Sequence, residues 1–398
     1  MSTRPAQEEG EGPLTVLITG GRAPAALELA RLWSAAGHRV ITADSIARTL
    51  CGASRRVAGN YVLPEVNDGP QQYIEALADV IQRERVHMLI PTCEEVFAVS
   101  RFRERLLPLC QVLVDEASKL SLLHNKWEFI DTAKRLGFRV PETRLLTSAG
   151  EVQAFLEEGD PLRCYVLKPV YSRFASKVRI VRGGEAAGDI PASGRYPWVG
   201  QQFIEGKPYC TYGIAHDGRL TAHAVYASKF TAGQGACVCF EREEHSGLQE
   251  WVARMVSAIR FTGQIAFDFI ETEEGTLYPL ECNPRATSGI HLFRAEDRLD
   301  RAFLDTASDS ILTPSGNRPT VLKGAMLLYA WKGMSSLPRA RDWMRAVFRG
   351  RDAVFRWDDP APLAAQWPML LHFWRKSRKH GISIAEATTI DMEWNGER

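Results

Sequence analysis

Short apolar runs alternate with glycine turns and with segments whose apolar residues recur at helical spacing. Residues 14–19 form a continuous apolar run, Gly20 and Gly21 follow, and 24–36 is rich in Ala and Leu up to Gly37. Residues 40–43 are apolar again, so the order is strand, turn, helix, stop, strand. Such a unit opens a parallel sheet. A helix at 70–83, a buried strand at 86–91, a helix around 94–107 and a strand at 111–114 continue it. The pattern therefore predicts an open α/β domain over 13–115.

From Ser118 the texture changes. A single helix is expected over 118–136, with Leu120, Leu123, Trp127 and Ile130 on one face and Gly137 as its stop. A helix near 151–158, a strand at 165–169 and a Gly/Pro/Ala-rich loop at 183–197 come next. Strands at 199–204, 210–216 and 222–229 precede an amphipathic helix over 248–261. Residues 264–271 and 276–282 read as a hairpin around Thr272–Gly275. Beyond about residue 311 Trp and Arg are frequent and glycine is scarce, and the chain holds no internal repeat.

Composition narrows the function classes. The 398 residues carry 49 Lys or Arg against 48 Asp or Glu, a net charge of +1. Balance of this kind argues against a nucleic-acid partner, since phosphate attraction needs a basic excess. Residues 1–12 are polar and acidic with no apolar core, and read as a disordered tail. No apolar stretch is long enough to span a bilayer; the apolar patch at 367–374 is short and runs into Arg375, Lys376, Arg378 and Lys379. No membrane partner is expected. Eight scattered cysteines without a CxxC suit reduced thiols in a cytoplasm.

Gly20-Gly21 lacks the GxGxxG spacing, so a tight turn is the better reading than a phosphate site; Asp44, after the next strand, is a weak ribose candidate. The hairpin carries more. Side chains two apart share a strand face, so Glu281 and Asn283 point together. With a four-residue loop Glu271 faces Thr276, Asp268 faces Pro279, and Glu281 is one diagonal step from Asp268. Phe267, Phe269 and Leu280 fall on the opposite face, and Pro279, which has no N–H, marks a bulge or an edge. Two carboxylates and an amide oxygen so close ask for a cation, and an all-oxygen set suits Mg²⁺. Arg285 adds a guanidinium able to hold a phosphoryl group. Lys126, Lys168 at the end of an apolar strand, and the strand-to-glycine segment 201–206 complete the candidates.

These residues match a known pattern. The order Lys126, Val166-Leu167-Lys168-Pro169, 201–206, Asp268 and Glu281-Cys282-Asn283-Pro284-Arg285 resembles the ATP-grasp superfamily, in its carbamoyl-phosphate-synthase-like and amino-acid-ligase branches, over about 14–305. The resemblance implies an α/β and α+β architecture with an N-terminal open parallel-sheet domain. It divides the rest into a small lobe over 116–198, a large lobe over 199–310 and a C-terminal extension over 311–398. It implies ATP between the lobes, with Lys126 and Lys168 on its phosphates and the backbone of Gln202, Phe203 and Ile204 on adenine. Glu281, Asn283 and Asp268 would hold Mg²⁺ or Mn²⁺, two ions in all, and Arg285 the phosphoryl group in transfer, with Lys168 sharing the catalytic role. The implied reaction is ADP-forming ligation of a small carboxylate, an amino acid among them, to an amine through an acyl phosphate.

Two departures stand out. The stretch 170–177 has no glycine, leaving Ser172 and Ser176 as phosphate donors, and Lys207-Pro208 follows the hinge glycine, leaving Glu205 as a stand-in for the ribose acid. Lys229 or Arg242 would anchor a carboxylate substrate, because a guanidinium offers a planar fork; Ser288 and His291 would line the pocket, with a hydrogen-bonded structural histidine as the favoured alternative for His291. Two rival readings are a non-catalytic nucleotide-binding protein and an enzyme with a thiol or carbamoyl acceptor. The segment 367–379, with Trp367 and Trp374, reads first as a charged helix packed on the core, with a lid or a homodimer contact as the alternatives.

Overall fold

The computed structural model describes residues 12–172, 177–232, 236–306, 310–328 and 337–396. The first domain is a five-stranded parallel sheet ordered Gly59–Val62, Arg39–Asp44, Thr15–Thr19, Met88–Ile90, Gln111–Val112. Its switch point lies between Thr15–Thr19 and Met88–Ile90, where open α/β sheets present a crevice at their carboxyl ends. Gly20 turns the chain there with φ +74°, and a Cβ on it would stand 2.6 Å from Thr92 Oγ1. That close approach accounts for the glycine without a phosphate. Asp44 does not face an open crevice: Arg22 Nε donates to it at 2.9 Å, and Arg22 also reaches Asp391 from the chain's far end at 2.8 Å.

The second unit is a four-stranded antiparallel sheet, Thr143–Leu146, Trp198–Gln202, Cys164–Pro169, Arg179–Arg182. The helix Ala149–Glu157 covers one face through Val152 and Leu156, against Leu146, Tyr165, Leu167 and Trp198. Alternation along Cys164–Pro169 therefore turns Leu167 into this core and Lys168 toward the other face.

The third unit is a seven-stranded sheet. Leu277–Asn283, Gly263–Glu271, Lys207–His216, Arg219–Ser228 and Cys239–Glu243 run antiparallel in that order. Thr320–Val321 and Arg351–Asp352 from the C-terminal extension complete it. On one face Phe267, Phe269 and Cys282 pack with Trp251 of the helix Ser246–Ala258 and Phe129 of the helix Lys126–Arg135. On the other, Tyr212, Tyr226, Phe240 and Phe293 share one apolar cluster with Leu27, Ala30 and Trp33 of the helix Pro24–Ala35. The first domain and the large sheet are thus joined by a common core.

Several elements differ from the sequence expectation. The helix over 118–136 is two helices, Ala117–His124 and Lys126–Arg135, because Asn125 leaves helical geometry and caps the second. Its Oδ1 accepts the N–H groups of Trp127 and Glu128 at 3.0 and 3.1 Å. The helix around 94–107 is likewise two, Glu95–Arg101 and Arg103–Leu106. The patch at 367–374 belongs to a 20-residue helix, Ala361–His380. After it the chain runs back across the first domain, where Asn67 N–H donates to Asp391 O and Trp394 stacks on Phe97 at 5.3 Å.

Candidate active site

The hairpin register departs from expectation twice: the loop runs from Thr272 to Thr276, so Glu271 faces Leu277 and not Thr276, and a bulge then adds a second step. Glu271 pairs with Leu277 and Phe269 with Pro279, but Asp268 pairs with Glu281 and Phe267 with Cys282. Leu280 is the extra residue, and so does not join Phe267 and Phe269 on the apolar face; Pro279 and Cys282 do. The physical reason is Pro279: lacking an N–H, it cannot continue the ladder, and on an edge strand the slip costs little. The consequence is chemical. Glu281 stands directly opposite Asp268 rather than diagonally, which brings the two carboxylates to the closest spacing a sheet allows.

Two buried lysines face this pair from different elements. Lys126, the first residue of its helix, lies 3.3 Å from Glu281 Oε2 and donates to the Ser172 carbonyl at 3.2 Å. Lys168 donates to Gln201 Oε1 at 3.1 Å and to the Leu280 carbonyl at 3.2 Å, the oxygen exposed by the bulge. Their exposures are 5% and 6%. Burial pushes Lys168 down to about 8, against Glu281 and with Lys126. Burial and the Glu281 charge push Asp268 well up, while a thiol hydrogen bond from Cys210 opposes them. For Glu281 burial also acts upward, but Lys126 and Lys168 outweigh it and hold the carboxyl down. One carboxylate is thus neutralised by lysines, and its neighbour strains toward protonation.

Asn283 and Arg285 extend the strand. Arg285 Nη2 donates to Asn283 Oδ1 at 3.0 Å and Nη1 to Ala286 O at 3.3 Å. Its Nε is 3.9 Å from Oε1 of Glu94, a fully buried carboxylate at the switch point of the first sheet. Glu94 Oε2 accepts the Trp394 N–H at 2.9 Å. Sequence reasoning passed over Glu94. The available signal was Pro91-Thr92-Cys93-Glu94-Glu95 after a buried strand, two adjacent acids at a sheet's carboxyl end. Glu95 holds the loop that enters the helix, accepting from Thr92 N, Cys93 N and Thr19 Oγ1.

Of the hinge segment, Gln202 N–H is spent on Glu142 O and Phe203 N–H on Cys164 O, at 2.8 and 3.1 Å. Ile204 and Glu205 make no backbone hydrogen bond with the described residues. Gly206 permits the hinge to pass the hairpin, since a Cβ there would meet Glu271 O at 2.1 Å. Lys207 turns to Glu243 at 3.4 Å. Ser172 lies beside Lys126, whereas Ser176 falls outside the described residues.

Register also yields a row of side chains across five strands. Glu281 pairs with Asp268, Asp268 with Cys210, Cys210 with Tyr226 and Tyr226 with Arg242, so all five share one face. Arg242 lies three strands from Asp268, about 14 Å along the row; it contacts Glu244 at 2.8 Å and Asn317 at 3.3 Å. Gly289, next to half-buried Ser288, packs on Tyr212 and Tyr226. The structure does not bring Lys229 or His291 to the row. Lys229 pairs with Glu241 at 2.5 Å. His291 is buried, stacks on Phe240 and lies 3.7 Å from Glu28.

The donor set fits a hard divalent cation. Two carboxylates stand opposite each other with Asn283 two residues along the same strand face; one carboxylate is destabilised as an anion by the other, and a cation between them would relieve that repulsion. Among the described residues no three His, Cys, Asp or Glu side chains form a metal cluster, so substrate oxygens or water would complete such a shell.

Residues 123–289 match the family model for the ATP-grasp domain. An uncharacterised protein of Methanocaldococcus jannaschii is 23% identical over 182 residues, 44% of this chain; the match spans 43% of that relative's length. Among solved structures, an ADP complex of N5-carboxyaminoimidazole ribonucleotide synthetase aligns with TM-score 0.58 at 16% identity, over 77% of this chain and 80% of its own. L-amino acid ligase from Bacillus licheniformis aligns with TM-score 0.56 at 13% identity, over 73% and 74%. The biotin carboxylase domain of Hydrogenobacter thermophilus 2-oxoglutarate carboxylase, solved with MgADP and bicarbonate, gives 0.58 at 15%, over 75% and 72%. The fold is the ATP-grasp fold, and the segment that matches the family model holds Lys126, Lys168, Asp268, Glu281, Asn283 and Arg285.

Proposed function

Taking an ATP-grasp domain as premise, we propose that this chain is an ADP-forming ligase that joins a small carboxylate to an amine. The observation that supports this most is the set of two buried lysines, Lys126 and Lys168, beside the partly buried Asp268, Glu281, Asn283 and Arg285, drawn together from a helix and three strands. In the absence of ligand the lysines neutralise Glu281. Lys126 and Lys168 would meet the ATP phosphates, and Asp268, Glu281 and Asn283 would then hold Mg²⁺ or Mn²⁺, which would neutralise phosphate charge. Ile204 and Glu205 offer the backbone donor and acceptor that an adenine edge needs.

The substrate carboxylate attacks the γ-phosphorus, the bond to the bridging oxygen breaks, and ADP leaves with that electron pair. Arg285 is aimed at the phosphoryl oxygens, where negative charge must be held during transfer. The amine then attacks the acyl carbon, inorganic phosphate leaves, and the amine nitrogen gives up a proton. No protein nucleophile is needed; the side chains neutralise and position. Arg242, with Ser288 nearer the row's centre, anchors a second anionic group of the acid, which favours a substrate long enough to reach from Arg242 toward the metal residues.

Incubation of the protein with ATP, Mg²⁺ and pooled amino acids, read by mass spectrometry, tests the reading. A condensed product formed in step with released phosphate is expected. ATP binding that ignores Mg²⁺, with no phosphate released from any acid and amine tried, would instead identify a nucleotide-binding protein without catalysis.

A further inference from the structure

The helix Ala361–His380 is packed on the first domain through one face only. Met369 and Phe373 meet Ile46 and Ala387, and Lys376 pairs with Glu65 at 2.9 Å. The opposite face carries Leu363, Trp367, Leu370, Leu371 and Trp374, each between 41% and 76% exposed. Their spacing places them in one stripe of the helix, about 17 Å long at 1.5 Å per residue. The helix ends in Arg375, Lys376, Arg378 and Lys379 and contains no Asp or Glu. Arg378 continues the stripe and lies over the Trp374 ring at 5.8 Å. Arg375 and Lys379 flank it and, with His372, His380 and the acidic Glu65, Asp68 and Asp391, line an open cavity of about 620 Å³.

The imbalance extends beyond this helix. Residues 323–380 hold 12 Lys or Arg against 4 Asp or Glu, in a chain whose totals are 49 and 48. The partner of this face is therefore anionic and presents apolar surface beside its charge. A second copy supplies only the apolar half. An isologous contact lays the same stripe on itself, and the four cations would find only the partner's helix start. There Asp358 is held by Arg56 at 2.6 Å and Asp359 by Arg31 at 2.9 Å.

An anionic bilayer meets both halves of the pattern. Trp and Leu settle at the boundary of headgroups and acyl chains, while Lys and Arg meet lipid phosphates. No described helix is long and apolar enough to cross a membrane; a stripe of this length suits a helix lying on one. We propose that the exposed face of Ala361–His380 docks the protein on an anionic lipid surface.

Sedimentation of the full chain with phosphatidylcholine vesicles, with and without phosphatidylglycerol, tests this. Binding is expected only with phosphatidylglycerol, and should weaken with added salt. Loss of one surface cation weakens such binding about fivefold, so Arg375→Gln with Lys379→Gln should weaken it about 25-fold. Trp367→Ala with Trp374→Ala should abolish it, and in the parent protein bromine-labelled acyl chains should quench Trp fluorescence. These side chains face solvent, so an unchanged unfolding midpoint ties each loss to the surface. Failure to sediment with either vesicle, or binding indifferent to both double variants, overturns the proposal. A dimer in solution that Trp367→Ala dissolves also overturns it and gives the stripe to a second copy.

Discussion

Replacing Glu281 by Gln keeps the side chain's shape and removes one charge from a set of four. Lys126 stands 3.3 Å from Glu281, and at an effective dielectric of 20 that separation corresponds to about 5 kcal/mol of attraction. Breaking one side of a buried pair typically costs about 3–5 kcal/mol, because the other charge is stranded. Repulsion between Glu281 and Asp268 is relieved at the same time, so the net loss of stability should lie below that range. The functional loss should be larger than the structural one. Glu281 is proposed to bind metal and to hold the lysines in register, so phosphate release should fall by about a thousandfold, the scale on which single electrostatic groups act in transfer. Calorimetry of ATP binding with and without Mg²⁺ separates the two effects. The parent protein should bind ATP more tightly with Mg²⁺, and Glu281→Gln should bind it almost equally in both. A variant that keeps the full Mg²⁺ enhancement would refute the metal assignment, whatever its stability.

Lys168, held near 8 by burial, should lose its proton as pH rises past that value, so ATP affinity should weaken from pH 8 upward. ATP binding there should take up a proton, measurable by calorimetry in buffers of different ionisation enthalpy; Lys168→Arg should flatten the profile. The stability consequence has a definite sign. Between about 8 and the unfolded lysine value the unfolded chain binds more protons, so this group makes stability rise with pH across that window. Asp268, raised by burial and Glu281, must shed its proton to hold a cation, so Mg²⁺ enhancement of ATP binding should decline as pH falls below neutrality. Asn125→Ala removes the cap under Lys126 at a cost of about 1 kcal/mol, and should raise the KM for ATP more than it lowers the thermal midpoint would suggest. Arg242→Ala should raise the KM for the acid at least tenfold with little change in the KM for ATP; an unchanged acid KM would remove Arg242 from the anchor role.

What could be read in the chain and what could not divide along physical lines. Strand alternation exposed Asp268, Glu281 and Asn283 as one face, since a period of two needs only local sequence. The same logic missed the register, because the loop is one residue longer than the expected four and a bulge beside Pro279 adds a second step, and each step changes which groups oppose. Periodicity ran straight through Asn125, and so concealed the break that makes Lys126 the first residue of a helix. Glu94 was harder still. It faces Arg285 and accepts from Trp394, the latter 300 residues away, and Arg22 finds Asp391 across 369. No window of sequence carries such pairings.

The long-range contacts also give the C-terminal extension a physical role in the site. Trp394 N–H binds one oxygen of Glu94, and the other oxygen faces Arg285. A buried carboxylate held on one side is limited in how it can turn on the other. The last residues of the chain therefore act on the guanidinium proposed to meet the phosphoryl group, through a single intervening side chain. Glu94→Gln should leave Trp394 a carbonyl to bind while removing the charge that faces Arg285. If Glu94 positions Arg285, kcat should fall with the KM for ATP nearly constant; if it only ties the chain end down, thermal stability should fall and kcat should not.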